Sequence, residues 1–178
     1  MTKAIHVRIK GTSPLLMHKF PLVEPDPPLK QRTPEDQAEF AAYRTEDGEL
    51  YIPGIAIQRC LIAAAVYSKG KGRASLQKPA AACMLISPEL VGLGVTEYTV
   101  DSRPVVIPST GGRVVRHRPR LDDWSVEFTL EYDLALITET EARKIIDDAG
   151  SRVGLLDFRP ERKGPFGRFM VVEWRPVP

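Results

Sequence analysis

The sequence predicts an α+β fold: a ferredoxin-like (RRM-like) βαββαβ antiparallel sheet in a single domain spanning 1–178, with a basic loop and a hairpin inserted at about 68–120. Three observations lead there. Apolar and polar residues alternate at 4–10 and again at 124–132, which marks half-buried strands. Helical patterns at 55–67 and 138–150 each follow a strand pattern. A final apolar run, "RFMVVEW" at 168–174, closes the domain as a strand.

In "AIHVRIK", residues 4–10, Ile5, Val7 and Ile9 share one face and His6, Arg8 and Lys10 the other. Residues 20–34 hold five prolines and form a long loop. Thr33 caps a short helix with Pro34 at its first position and Asp36 in its first turn. "EDGE" at 46–49 is a turn, Leu50–Ile52 is extended, and Pro53-Gly54 breaks it. From Ile55 to Tyr67 the chain reads as a helix with Ile57, Leu61 and Ala65 toward a core. Residues 68–79, "SKGKGRASLQKP", have no apolar period and read as a mobile loop, and Ala80–Ile86 reads as a strand.

"RPVVIPSTGGRVVRHRP" pairs two β-branched runs across Ser109-Thr110-Gly111-Gly112, a long hairpin. In "WSVEFTLEY", 124–132, Trp124, Val126, Phe128, Leu130 and Tyr132 share one face and Glu127 and Glu131 stand on the other. Thr138 and Glu141 form a capping box. Ala142, Ile145, Ile146 and Ala149 then make the apolar stripe, and Gly150 is placed as the C-terminal cap.

Composition narrows the classes. At 43% hydrophobic, a chain of 178 residues can bury a real core. It has no apolar run of eighteen residues, so no membrane span is expected, and the strand-like N-terminus lacks the apolar region of a signal peptide. A cytoplasmic protein is the expectation. Cys60 and Cys83 lack metal-ligand spacing and read as inert thiols; no metal or other cofactor is expected.

The net charge of +2 conceals blocks. Residues 50–88 carry Arg59, Lys69, Lys71, Arg73 and Lys78 without an acid, and 102–121 carry Arg103, Arg113, Arg116, Arg118 and Arg120 without one. Residues 122–148 answer with nine acids against Arg143 and Lys144. Blocked positive charge suits a polyanion; the plainer reading is that the acidic block neutralises the basic ones in space.

"GLLDFRPERKGPFGRF", 154–169, concentrates glycine with Arg159, Arg162, Lys163 and Arg168. It matches neither GxGxxG after a strand nor a P-loop. Gly164 and Gly167 would let the backbone approach a ligand, the cations would bind phosphates, and Phe166 would stack on a base. The alternative is a turn between helix and strand with Phe166 against the core. Arg113, Arg116, His117, Arg118 and Arg120 on the hairpin, with Lys69, Lys71 and Arg73 on the 68–79 loop, offer further phosphate contacts. His18 and His117 are the histidines for general acid–base chemistry, although no partner for either is visible in sequence. The aspartate pairs at 122–123 and 147–148 read as solvated charge.

Two segments resemble a known family. "LYIPGIAIQRCLIAAA", 50–65, is similar to the IPG-containing start of the first helix in the repeat-associated (RAMP) superfamily of CRISPR proteins, and "GLLDFRPERKGPFGRF" resembles that superfamily's C-terminal glycine-rich loop. "IKGTSPLLMH", 9–18, is similar to the family's first strand and its glycine exit. Pro53 and Gly54 match, whereas the family's serine pair falls on Ile55 and Ala56, its lysine on Gln58 and its next glycine on Arg59. The resemblance implies a divergent stand-alone relative of the RNA-binding backbone subunit, and with it assembly of copies along the strand.

Together these readings give a non-catalytic protein that binds single-stranded nucleic acid, RNA or DNA, through the 154–169 loop, the hairpin and the 68–79 loop. The alternatives are a metal-independent endoribonuclease using His18 or His117, and an interaction module whose basic arms dock an acidic protein.

Overall fold

The structure, a computed structural model, describes residues 1–178, except for the side chain of Arg73. The chain is mixed α+β. Its elements run β1 (Thr2–Gly11), β2 (Leu15–Leu16), α1 (Pro34–Ala41), β3 (Tyr51–Pro53), α2 (Gly54–Ala64), α3 (Gln77–Cys83), β4 (Leu85–Ser87), β5 (Leu90–Gly92), β6 (Thr99–Val106), β7 (Arg113–Leu121), β8 (Ser125–Asp133), α4 (Glu139–Asp148) and β9 (Phe169–Pro176). Among the described residues no helix is long and apolar enough to cross a membrane.

The main sheet has the order β4-β8-β1-β9, every neighbouring pair antiparallel. The alternation read in the sequence sets its two faces. Ile5, Val7 and Ile9 of β1 and Val126, Phe128, Leu130 and Tyr132 of β8 are buried on one side, where α2 and α4 supply Ile57, Leu61, Ala142, Ile145 and Ile146. Burial of each of the larger side chains contributes about 1.5–3 kcal/mol. The opposite face is charged. There Arg8 pairs with Glu127, and the His6 Nε2 lies 3.5 Å from Glu127 and 3.8 Å from Glu173.

A second sheet, β2-β7-β6, is the hairpin seated on the residues that follow β1. A two-stranded ribbon joins β3 to β5.

The helix starts follow the sequence. Thr33 Oγ1 accepts from the Asp36 backbone N–H with Pro34 at the first position of α1, and Thr138 with Glu141 forms the capping box of α4. Two expectations are corrected. Ala80–Ile86 is not a strand: α3 runs to Cys83, because Leu76, Ala80 and Met84 recur every fourth residue and all three are buried, leaving only Leu85–Ser87 for β4. Gly150 does not cap α4. The helix runs on into a π-helical turn, Ala149–Val153, with Gly150 packed under the Phe169 backbone, and the positive φ of +78° comes at Gly154.

Candidate functional site

The loop between α4 and β9 is stitched to the segment that leaves β1. The backbone N–H of Gly167 donates to Pro14 O, that of Asp157 to Leu16 O and that of Leu155 to Gly167 O. Gly167 has a φ of +76°, and a Cβ there would strike the Leu155 carbonyl. At Gly164 a Cβ would strike the Phe158 carbonyl. These glycines allow the loop to pack on itself, rather than on a ligand as the sequence suggested. Leu156, Phe158 and Lys163 also adopt positive φ, at 60°, 47° and 63°, and they are all the non-glycine residues that do so in the described chain. Each costs roughly 1–2 kcal/mol against ordinary backbone. Strain gathered into one short loop marks that loop as a functional candidate.

Facing this loop is the start of α2, and a cleft of about 440 Å³ opens between them. Pro53 and Gly154 both line it, so two of the segments that carried the family resemblance meet at the cleft. His18, Tyr43, Arg59, Asp157, Arg159, Glu161 and Arg162 supply its polar lining. Arg59 and Arg162 are exposed, and neither has a carboxylate partner among the described residues. Arg159 is held by Glu161 at 2.8 Å and donates to Leu156 O. Cys60 lies beneath the cleft. Burial pushes its thiol well up, and its Sγ–H donates to Gly154 O at 3.1 Å, so it behaves as an inert thiol linking α2 to the loop.

Asp157 is the electrostatic centre. It ion-pairs with Arg118 of the hairpin, and its Oδ2 lies 3.4 Å from His18 Nδ1. Burial acts to raise the carboxyl, but His18 and Arg118, through hydrogen bonding and charge, outweigh it and hold the group at about 2.

The expected site residues divide. Arg118 is buried, its side chain 5% exposed, and serves Asp157 instead of projecting to a strand. Phe166 is also buried, tilted against Phe158 at 5.8 Å, because Arg103 and Arg120 of the hairpin cover its ring; it offers no free face for a base. Arg120 is paired with Asp122 and Asp101. Arg168 is exposed, with one guanidinium N–H donated to Ser151 O. Arg162 lines the cleft, and Lys163 is exposed next to it.

Arg113 and Arg116 are exposed on the hairpin arm, whose His117 Nδ1 is 2.7 Å from Ser102 Oγ. Lys69 and Lys71 are exposed on a loop whose Gly70 and Lys71 border residues 134–138, so that loop does not join the cleft lining. Arg73 lies outside the described side chains.

Sequence reading missed Tyr43 and Arg59 as cleft residues, and gave Asp157 no role. Tyr43 carries no local signal. Arg59 stands where the family resemblance has a glycine, and Asp157 is one of two acids, with Glu161, among the cations of the loop, so the sequence did not single it out. No family model matches the chain, and no curated protein is significantly similar to it.

Proposed function

We propose that this protein is a non-catalytic binder of single-stranded nucleic acid and that the strand lies in the cleft between α2 and the strained 154–167 loop. The observation that carries the reading is the pairing of unneutralised Arg59 and Arg162 with apolar and aromatic surface from Ile55, Leu156 and Tyr43 in one cleft. Cations track a sugar-phosphate backbone, and flat apolar surface accepts unstacked bases.

Kinship with the RAMP superfamily is part of the same proposal. It is supported by the sheet order β4-β8-β1-β9, the order of a ferredoxin-like βαββαβ sheet if α2 and α4 are its two helices, and by the position of the glycine-rich loop between α4 and β9. The exposed Phe20, Leu22 and Val23 on the proline-rich segment support assembly of copies along a strand. Light scattering that finds a monomer with and without a bound strand would remove that element.

Fluorescence anisotropy of labelled single-stranded RNA, single-stranded DNA and duplex DNA at two salt concentrations tests the reading. Single strands bind, more weakly as salt rises. Arg59→Ala with Arg162→Ala reduces both the affinity and the salt slope, the slope by about 0.7 for each phosphate left without its cation. Absence of single-strand binding at low salt would overturn it.

His18 favours a second reading, metal-independent cleavage of RNA, because Asp157 stands beside its imidazole at 3.4 Å as an orienting carboxylate. Labelled RNA incubated with chelator decides it: products that disappear with His18→Ala support cleavage, and intact RNA removes it.

A further inference from the structure

A second groove, of about 300 Å³, lies between α1 and β7. Its basic lining is His18, Lys19, Lys30, Arg116, His117 and Arg118; no carboxylate lines it, and Gln37 is the other polar side chain there. His18 borders both this groove and the main cleft. We infer that the groove is a separate subsite for a phosphate dianion, the terminal phosphomonoester of a nucleic-acid strand. The identity of the carrier strand rests on the proposed function; the phosphate chemistry does not.

Arg118 is the reason for an anion. Its Nη1 ion-pairs with Asp157, while Nε and Nη2 are buried without a partner. That is the edge with which Arg103 forks the Asp101 carboxylate, at 2.6 Å through Nε and 2.6 Å through Nη2. A guanidinium edge of this kind is shaped for two oxyanion oxygens. Unpaired and away from water it is costly, so a native chain that keeps it there keeps positive charge at the base of the groove. The single charge of Asp157 is shared between Arg118 and His18. Nothing acidic in the groove lining offsets what remains, and Arg118 acts on the groove through this charge even while the edge itself is covered.

The chemistry of the lining selects a chain end over a bridging phosphate. A phosphodiester carries one charge, whereas a monoester at neutral pH carries nearly two and offers three acceptor oxygens. Lys19, Lys30 and Arg116 reward the second charge. The His117 ring is fixed from one side by Ser102 and adds a donor when protonated. The volume of about 300 Å³ accommodates a terminal nucleotide. A strand lying in the main cleft would pass His18 and place its end here.

The test uses oligonucleotides of one sequence with a 5′-phosphate, a 3′-phosphate or hydroxyls at both ends. One phosphorylated form should bind about tenfold more tightly than the hydroxyl form, and Lys19→Ala with Lys30→Ala should collapse that ratio toward one. Equal affinity of all three forms would overturn the subsite while leaving single-strand binding intact. If no strand binds, the proposed function fails. Imidazole NMR resonances then decide the subsite with inorganic phosphate and a nucleoside monophosphate as probes. Shifts at His18 and His117 that are lost in the double variant sustain it, and unmoved resonances overturn it.

Discussion

The guanidinium of Arg103 lies over the ring of Phe166, 4.7 Å from its centroid. Arg103 belongs to the hairpin and Phe166 to the glycine-rich loop, so this contact makes the two segments one unit. Asp101, 6% exposed at its side chain, fixes the geometry by pairing with Arg103 at 2.6 Å and Arg120 at 3.4 Å. The hydrogen bonds from Arg103 chiefly, against burial, hold its carboxyl below the usual range.

Arg103→Ala should therefore loosen the base of the hairpin. The fork to Asp101 and the stacking on the ring are together worth about 2 kcal/mol. Hydrogen exchange across 99–121 and 156–166 should rise together. Faster exchange in the hairpin alone would mean that the two segments are not coupled.

Gly167→Ala should be among the most damaging single changes. It forces a Cβ against the Leu155 carbonyl at a φ of +76°, and a loss of about 3 kcal/mol is expected, some 6–12 °C in Tm for a chain of this size. Arg162→Ala, at an exposed position in the same loop, should leave Tm within about 2 °C. Equal Tm changes for the two would show that the loop geometry is not set by its glycine.

Asp157 gives stability a pH dependence. Its folded-state value near 2 lies below the ordinary 3.8, so the carboxylate stabilises the fold above about pH 4 and that contribution fades as pH falls toward about 2. The difference amounts to about 2 kcal/mol. Asp157→Asn should be less stable than the parent at about pH 6, with a gap in urea unfolding that narrows by that amount at about pH 2. A gap independent of pH would rule out the ion pairs as its source.

Tyr132 carries a buried hydroxyl without a hydrogen-bond partner; burial, and then the charge of Glu139, push it up to about 12. Tyr132→Phe removes a polar group that costs free energy where it sits, so the variant should be as stable as the parent or up to about 1 kcal/mol more stable. A loss of more than about 1 kcal/mol in chemical denaturation would show that the hydroxyl has a partner in solution.

Legibility tracked the distance over which a pattern acts. The period-two alternation of Val126, Phe128 and Leu130 and the Thr138–Glu141 capping box are set by neighbours in sequence, and both stand where the sequence put them. The β6–β7 hairpin was legible for the same reason. The α3 helix was missed because its Ala80-Ala81-Ala82 run shows no strong period of its own; its inward face is defined by Leu76 before it and Met84 after it.

The site was least legible where residues meet across the fold. Nothing near Arg118 in sequence reveals that Asp157 waits for it, and nothing near Phe166 reveals that two hairpin arginines cover its ring. A count of cations therefore mixed surface charges such as Arg162 with buried ones such as Arg118, and included a loop, 68–79, that does not line the cleft.

The left-handed turns at Leu156, Phe158 and Lys163 have a consequence for how fast a ligand comes and goes. A supple glycine loop would surrender its freedom at the moment of capture. Here the chain has surrendered it during folding, so the strand proposed to lie in the cleft would meet a finished mould. On that proposal, capture would be limited by encounter and charge steering, and strands that fit well or badly would differ chiefly in how quickly they escape.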